Sequence, residues 1–277
     1  MHGAGNDFVM LDGVSQTLEL RAEDIRFIAD RHLGIGADQV LLVSTSENPN
    51  VDFRYRIFNQ DGSEVEQCGN GARCFVKFVR HCGLTEKKKI LVQTMKTVIE
   101  PELLADGRVK VNMGAPIFDL SQLPFAPGAL PTRYLGRAKQ WQLDHAEGSL
   151  WFAALSMGNP TATVFVQNVG TTPVDQWGQL IGEHPIFPNR TNVAFLEVLD
   201  KNNARIRVFE RGAGETLACG SGTCAAVVAA MNAGLCQDFV EVQAQGGQLR
   251  IEWDGLEDSP VYLIGPAEHV FDGELEI

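Results

Sequence analysis

The sequence predicts an α/β (α+β) chain of two structurally similar, pseudo-symmetric lobes, each a mixed sheet wrapped around a central helix, with the active site between the lobes. Three observations lead there. The stretch Phe58-Asn59-Gln60-Asp61-Gly62-Ser63-Glu64-Val65-Glu66-Gln67-Cys68-Gly69-Asn70-Gly71 recurs 151 residues later as Phe209-Glu210-Arg211-Gly212-Ala213-Gly214-Glu215-Thr216-Leu217-Ala218-Cys219-Gly220-Ser221-Gly222. Both copies read Phe, five residues, Glu, three residues, then Cys-Gly-x-Gly. Other landmarks keep nearly the same offset: Gly5-Asn6 with Gly158-Asn159, Asp38 near the register of Asn192, Gly83-Leu84 with Gly234-Leu235, and Met113-Gly114 with Ile264-Gly265. Finally, strand and helix periodicities alternate in the same order in both halves. The expected lobes are 1–116 and 117–265, with 266–277 a segment able to pack back on the first lobe.

In the first half, 7–11, 39–43 and 53–58 read as strands, the last alternating at period two. Residues 22–31 read as a helix with Ile25, Ile28 and Ala29 on one face and Gly34 soon after its end. A second helix runs from about Asn70 to His81, with Gly83 as its C-terminal cap. Strand returns at 89–95 and 108–113. The second half repeats the plan, with strands at 151–156, 161–166, 192–199, 204–209, 239–244, 248–253 and 261–264. One of its helices starts at Thr172-Pro173-Val174-Asp175, with threonine at the N-cap. The other is Ala/Val-rich and runs over 221–233 to Gly234. Pro124, Pro127 and Pro131 mark an aperiodic link between the lobes.

A chain of 277 residues can bury two cores. Its net charge of −12 argues against a nucleic-acid partner, which would want a basic face. No stretch approaches the ~18 apolar residues of a membrane span. The start, Met1-His2-Gly3-Ala4-Gly5-Asn6, lacks the charged head and apolar run of a signal peptide, so a cytoplasmic location is expected. There the six cysteines are expected as thiols rather than staples. Cys74, Cys82, Cys224 and Cys236 read as small buried apolar residues. No metal site is expected. No CxxC exists, Cys68/Cys74 and Cys219/Cys224 stand about 240° and 140° apart around a helix, and His2, His32, His81, His145, His184 and His269 show no ligand spacing.

Cys68 and Cys219 read differently. Each stands at the foot of a helix, where the first amides are unpaired donors and the dipole places roughly half a positive charge. A thiol so placed is expected to have a lowered pKa, anywhere from about 3.5 to 7.5. The flanking glycines let a ligand approach the backbone, and the amides suit a carboxylate. Two such thiols facing each other across a lobe interface make a matched pair of proton carriers. That pair suits inversion of a carbon next to a carboxylate, one thiolate removing a proton from one face while one thiol returns a proton to the other. The amides stabilise charge building on the carboxylate. No lysine motif for a pyridoxal Schiff base appears, and no cofactor is expected. The other readings of the pair are a thiol redox switch and a silent amino-acid-binding protein.

Met1-His2-Gly3-Ala4-Gly5-Asn6-Asp7-Phe8, Gly34-Ile35-Gly36-Ala37-Asp38-Gln39, Gln67-Cys68-Gly69-Asn70-Gly71-Ala72-Arg73-Cys74, Met157-Gly158-Asn159-Pro160, Glu210-Arg211-Gly212 and Ala218-Cys219-Gly220-Ser221-Gly222 together resemble the diaminopimelate epimerase family over essentially the whole chain. The resemblance implies two similar lobes with the site between them. It also implies pyridoxal-independent interconversion of LL- and meso-diaminopimelate, for lysine and peptidoglycan biosynthesis, in a homodimer. Carried over by position, it makes Cys68 and Cys219 the catalytic bases and Gly69, Asn70, Gly220 and Ser221 the holders of the α-carboxylate. Asn6, Gln39, Asn59, Asn159, Asn192, Glu210 and Arg211 would bind the rest of the substrate, Arg211 as a bidentate clamp on a carboxylate. Thr161 follows Pro160 where the family usually has a histidine that helps tune a thiol, so Glu210 and Thr161 are the expected pKa-modulating positions. Phe271 stands where a tyrosine often supports the dimer. The nearest rival, the proline racemase and hydroxyproline epimerase group, typically reads Cys-Gly-His-Gly at the first cysteine.

Overall fold

The computed structural model describes the chain except for Glu66, Gln67, Glu147 and Ile277. Glu66 and Gln67, part of the repeated stretch, therefore lie outside the described residues. The chain divides into two compact units, Met1–Asn112 with the segment from Ile264 onward, and Met113–Leu263.

The first unit runs β1 (His2–Gly3), β2 (Asn6–Gly13), α1 (Ala22–Ala29), β3 (Gln39–Ser44), β4 (Phe53–Asn59), β5 (Glu64–Val65), α2 (Gly69–His81), β6 (Val92–Gln93), β7 (Val98–Ile99), β8 (Glu102–Leu103) and β9 (Val109–Asn112). One sheet has the order β1-β2-β3-β4-β6-β7, with β5 also on β4. β3 is central because Val40-Leu41-Leu42-Val43 is apolar on both faces, and all four are buried. β4 alternates, with Phe53, Tyr55 and Ile57 buried between Arg54 and Arg56. At the start of α1 the Asp24 carboxylate accepts from the Arg21 N–H at 2.8 Å, and Ile25, Ile28 and Ala29 are buried. The helix stops at Asp30, whose carboxylate accepts from the backbone of His32 and Leu33 and so turns the chain out of the helix.

α2 is the helix around which this unit is built. Ten of its thirteen residues are buried, and it packs on β1, β2, β3, β8 and β9. It ends where Gly83, at φ +68°, lets the Leu84 N–H reach back to the Val79 carbonyl. The C-terminal segment joins the same unit. His2 and Glu268 exchange backbone hydrogen bonds of 3.0 and 2.8 Å, and Arg73 Nε donates to the Pro266 carbonyl at 3.1 Å.

The second unit runs β10 (Thr132–Leu135), β11 (Ala138–His145), β12 (Gly148–Ser156), β13 (Pro160–Phe165), α3 (Val174–Gly182), β14 (Asn192–Val198), β15 (Asn203–Glu210), β16 (Gly214–Thr216), α4 (Gly220–Asn232), β17 (Phe239–Ala244) and β18 (Gly247–Glu252), with β19 (Tyr262–Gly265) last. Its strands follow the order β10-β11-β12-β13-β14-β15-β17-β18, with β16 also on β15. The internal repeat shows in strand direction. β13/β14 are parallel, β14/β15 antiparallel, β15/β17 parallel and β17/β18 antiparallel. β2/β3, β3/β4, β4/β6 and β6/β7 have the same sequence of directions. α4 answers α2: ten of its thirteen residues are buried. Its Ala and Val side chains let β11 to β15 and β18 close around it.

Four sequence expectations change. β10 and β11 form an antiparallel hairpin within what reads as an aperiodic link. That region is ordered by side chains, with Phe125 stacked on Phe187 at 4.6 Å and edge-on to Trp141 at 4.9 Å. The strand expected over 89–95 shrinks to Val92–Gln93. Thr172 does not cap α3; its hydroxyl donates to the Asn168 carbonyl, and Pro173 takes the cap position. Cys74, Cys224 and Cys236 are buried, but Cys82 is exposed, because it caps the last turn of α2 beyond the packed face.

Candidate active site

Each repeated stretch folds the same way: a strand, a tight turn, a short return strand, and a helix whose N-cap is a cysteine. Cys68 caps α2 at φ −140°, ψ 118°, and Cys219 caps α4 at φ −121°, ψ 110°. In both, the cysteine carbonyl accepts the first helical hydrogen bond, from Ala72 and Thr223 respectively, each at 2.9 Å. That leaves the N–H groups of Gly69-Asn70 and Gly220-Ser221 at the open end of a helix, the arrangement that attracts a carboxylate. All six cysteines carry thiols.

In the first unit, Asn6 and Asn70 meet at the Cys68 helix start, and Gln39 and Asn59 pair with each other. Asn6 Oδ1 accepts from the Cys68 thiol at 3.8 Å and from Asn70 Nδ2 at 3.1 Å, while Asn6 Nδ2 donates to Asp38 at 3.0 Å. Gln39 and Asn59 are directly opposed in the β3/β4 ladder, and their side chains bond at 3.0 Å. Three residues that sequence reasoning left without a role support this set. Arg31 bridges Asp7 and Asp38 at 2.8 and 2.9 Å, holding the carboxylate that orients Asn6. Burial pushes the Asp7 carboxyl up, but its bonds to Arg31 and to the Asp38 backbone outweigh that and leave it lowered. Arg73 is fully buried and donates to the Gly69 carbonyl at 3.4 Å, one residue past Cys68. No spacing signal marks Arg31 and Asp7, because they meet in space 24 residues apart.

In the second unit, Glu210 and Ser221 act directly on Cys219. The Cys219 sulfur lies 3.8 Å from Ser221 Oγ. Asn192 Oδ1 accepts from the Arg211 backbone at 2.9 Å, which sets the start of the turn that leads to Cys219. The Arg211 side chain is exposed, and its guanidinium donates to the Asn189 carbonyl at 3.4 Å. Glu210 accepts a 2.6 Å bond from Thr216, a residue that the sequence did not single out. Asn159 and Thr161 have buried side-chain oxygens with no hydrogen-bond partner among the described residues, and Thr161 is fully buried on β13. The ladders also correct the repeat: Phe8 pairs with Gln39, and Thr161 with Asn192. With Asn6 matched to Asn159, the counterpart of Asn192 is therefore Gln39 rather than Asp38.

The two thiols differ in setting. Cys68 is half-buried, whereas Cys219 is buried. Burial pushes the Cys219 thiol well up, the Glu210 carboxylate adds to this through its charge and a hydrogen bond, and the Gly222 N–H and Ser221 pull it down by less. The lowering expected from a helix start is present at Cys219 but is outweighed. The second glycine of each motif also differs. A Cβ on Gly222 would lie 3.2 Å from the Cys219 sulfur, and one on Gly71 would lie 3.0 Å from the Ile57 side chain.

The sequence profile of the diaminopimelate epimerase family matches residues 1–118 and 153–270. The chain is 53% identical to the diaminopimelate epimerase of Ralstonia nicotianae over 277 residues, covering all of this chain and 94% of the relative. It is 52% identical to that of Cupriavidus pinatubonensis, covering all of this chain and 96% of the relative. Among solved structures it is similar to a Bacillus anthracis phenazine biosynthesis protein of the PhzF family, with a TM-score of 0.71, 20% identity and coverage of 100% and 95% of the two chains. A probable proline racemase from Agrobacterium radiobacter superposes with a TM-score of 0.66 at 15% identity, covering 98% and 92%; at such identities the likeness is one of fold. Cys68-Gly69-Asn70-Gly71 and Cys219-Gly220-Ser221-Gly222 fall inside the two matched segments, and half of all positions are shared with the named relatives over the full length: this chain belongs to the diaminopimelate epimerase family.

Proposed function

We propose that Cys68 and Cys219 are the two bases of a pyridoxal-independent diaminopimelate epimerase, an isomerase that inverts one α-carbon between the LL and meso forms. The observation that carries this is the repeated helix start: two thiols at N-caps, each followed by the first amides of a helix, in a chain of this family. In the proposed step one thiolate removes the α-proton, and the C–H electron pair moves into the α-carboxylate. The other thiol then delivers its proton to the opposite face of the carbon, leaving a thiolate there, so the reverse reaction exchanges the roles. The amides of Gly69-Asn70 and Gly220-Ser221 stabilise the growing carboxylate charge. Burial and Glu210 favour the protonated form of Cys219, so Cys219 starts as the acid and Cys68 as the base. Asn6, Gln39, Asn59, Asn159, Asn192, Glu210 and Arg211 supply the amides, carboxylate and guanidinium that a substrate with two ammonium and two carboxylate groups requires. The orphan oxygen of Asn159 suits an ammonium donor.

A biosynthetic role in making lysine and peptidoglycan, a cytoplasmic location and a homodimer complete the reading. No helix among the described residues is long and apolar enough to cross a membrane. Exposed Val270 and Phe271 are a candidate surface for the second copy.

The test is incubation in heavy water with LL-diaminopimelate, L-proline and trans-4-hydroxy-L-proline. Deuterium enters the inverted α-carbon of diaminopimelate only. Exchange into the proline substrates instead would support the rival group. Cys68→Ala and Cys219→Ala each lower epimerisation by at least ~100-fold, the loss expected for a general acid or base. Full activity in either variant refutes the two-thiol assignment.

A further inference from the structure

A second group of chemically competent side chains lies in the first unit, away from the residues placed around Cys68. His81 stands on the last turn of α2, and His269 and Asp272 stand on the C-terminal segment. His81 Nε2 lies 3.0 Å from one oxygen of Asp272, and His269 Nε2 lies 2.9 Å from the other. The two imidazoles stack with centroids 4.2 Å apart and planes 29° apart, so both Nε2 atoms converge on one carboxylate. Their ligand atoms all lie within 4.8 Å of one another and are exposed to solvent. Nothing in the sequence spacing shows this, because 188 residues separate the two histidines.

We propose that His81, His269 and Asp272 form a binding site for one divalent transition cation of the zinc class. Two imidazole nitrogens and a carboxylate oxygen are the donor set that such borderline ions take, with water completing the shell. Calcium and magnesium are disfavoured, since they ask for oxygen ligands and the site offers a single carboxylate. A tetrahedral ion at bond lengths of about 2.0–2.2 Å needs donors roughly 3.3 Å apart. Small side-chain rotations bring the present group to that spacing. On binding, each Nε2 gives up its hydrogen bond to Asp272 and donates its lone pair to the ion, while the ring proton sits on Nδ1. Lys77 and Arg80 line the same recess and work against a cation, but Arg80 is paired with Glu86, and Glu268 and Asp272 supply opposing charge. The competing description is a plain clasp, in which Asp272 does no more than pair with two histidines. In either case the group ties the C-terminal segment to the helix that begins at Cys68, and the ion would strengthen a tie already made at His2–Glu268 and Arg73–Pro266.

The test is titration of the full reduced chain with Co²⁺ and Zn²⁺, followed by calorimetry and by the visible spectrum of cobalt. One ion binds per chain outside the active-site thiols, with a cobalt spectrum free of thiolate charge-transfer bands. His81→Ala and His269→Ala each weaken that binding by at least ~10-fold, and Cys82→Ser, at the neighbouring exposed thiol, leaves it unchanged. Unaltered affinity in both histidine variants, loss of binding in Cys82→Ser, or no binding up to millimolar ion overturns the proposal. Since the alanine variants can loosen the segment, Asp272→Asn provides a gentler change. Zn²⁺ slows amide exchange over residues 266–276 of the parent chain and not of Asp272→Asn; equal slowing in both also overturns it. None of these readouts uses epimerase activity.

Discussion

Cys68 and Cys219 occupy equivalent places in a repeated design, yet their surroundings differ. The equivalent position nine residues earlier is Asn59 in one copy and Glu210 in the other. Only Glu210 brings a charge, and it raises the Cys219 thiol alongside burial. Glu210→Gln therefore moves the pH profile of Cys219 alkylation, read by mass spectrometry of the modified peptide, to lower pH. A profile identical to the parent would show that burial alone sets the proton affinity. Thr216, which donates to Glu210 at 2.6 Å, is expected to act through that carboxylate. The motifs name Asn6, whose Oδ1 accepts from the Cys68 thiol, and Glu210 and Ser221, which act on the Cys219 thiol. The company they keep was not legible: Arg31 reaches Asp7 from 24 residues away, and Thr216 reaches Glu210 across a turn.

Two helices with the same opening, Cys-Gly-x-Gly, use their second glycine for opposite purposes. In α2 it clears the core, with Ile57, Phe8 and Leu41 side chains 3.0 to 3.4 Å from where a Cβ would stand; in α4 it clears the sulfur of Cys219 and a methyl of Val208 at 3.2 and 3.3 Å. Gly71→Ala accordingly lowers stability by ~1–3 kcal/mol, as overpacking does, measured by urea unfolding. Gly222→Ala crowds the Cys219 sulfur and, with Cys219 as a proposed base, is expected to lower kcat/KM by about 100-fold, with little change in unfolding midpoint. If the stability loss instead falls on Gly222→Ala and the activity loss on Gly71→Ala, the packing described around these two helix starts is wrong. The helices themselves were legible within a residue or two, since glycine, cap and apolar face mark each end. The hairpin of β10 and β11 was not, because three prolines and few alternating residues precede it, and its order comes from aromatic packing around Phe125.

At the scale of the molecule, buried thiols tie stability to alkaline pH. Burial raises Cys74 to about 12 despite the lowering charge of Arg73, and Cys236 to about 11, against 9.0 for an ordinary thiol. An unfolded chain loses these protons near 9.0 while the folded chain keeps them. The folded state is therefore fully favoured below pH 9 and loses stability progressively as pH rises toward 11 and 12. Unfolding midpoints in urea fall between pH 8 and pH 10.5, and Cys236→Ala makes that fall shallower. A midpoint independent of pH over this range would contradict the burial of these thiols. The same folded core explains why the repeat could be read at all: a strand direction pattern used twice demands the same apolar strand, turn glycine and helix start twice. By itself the sequence determined the duplicated α+β plan, the helix that each cysteine begins and the family to which the chain belongs, because caps, glycine turns and periodicities act between near neighbours. Tertiary structure alone decided that Glu210 and burial hold Cys219 protonated, that Gly71 and Gly222 serve different ends, and that His81, His269 and Asp272 meet, because desolvation, packing and electrostatics depend on what lies close in space rather than on what lies close along the chain.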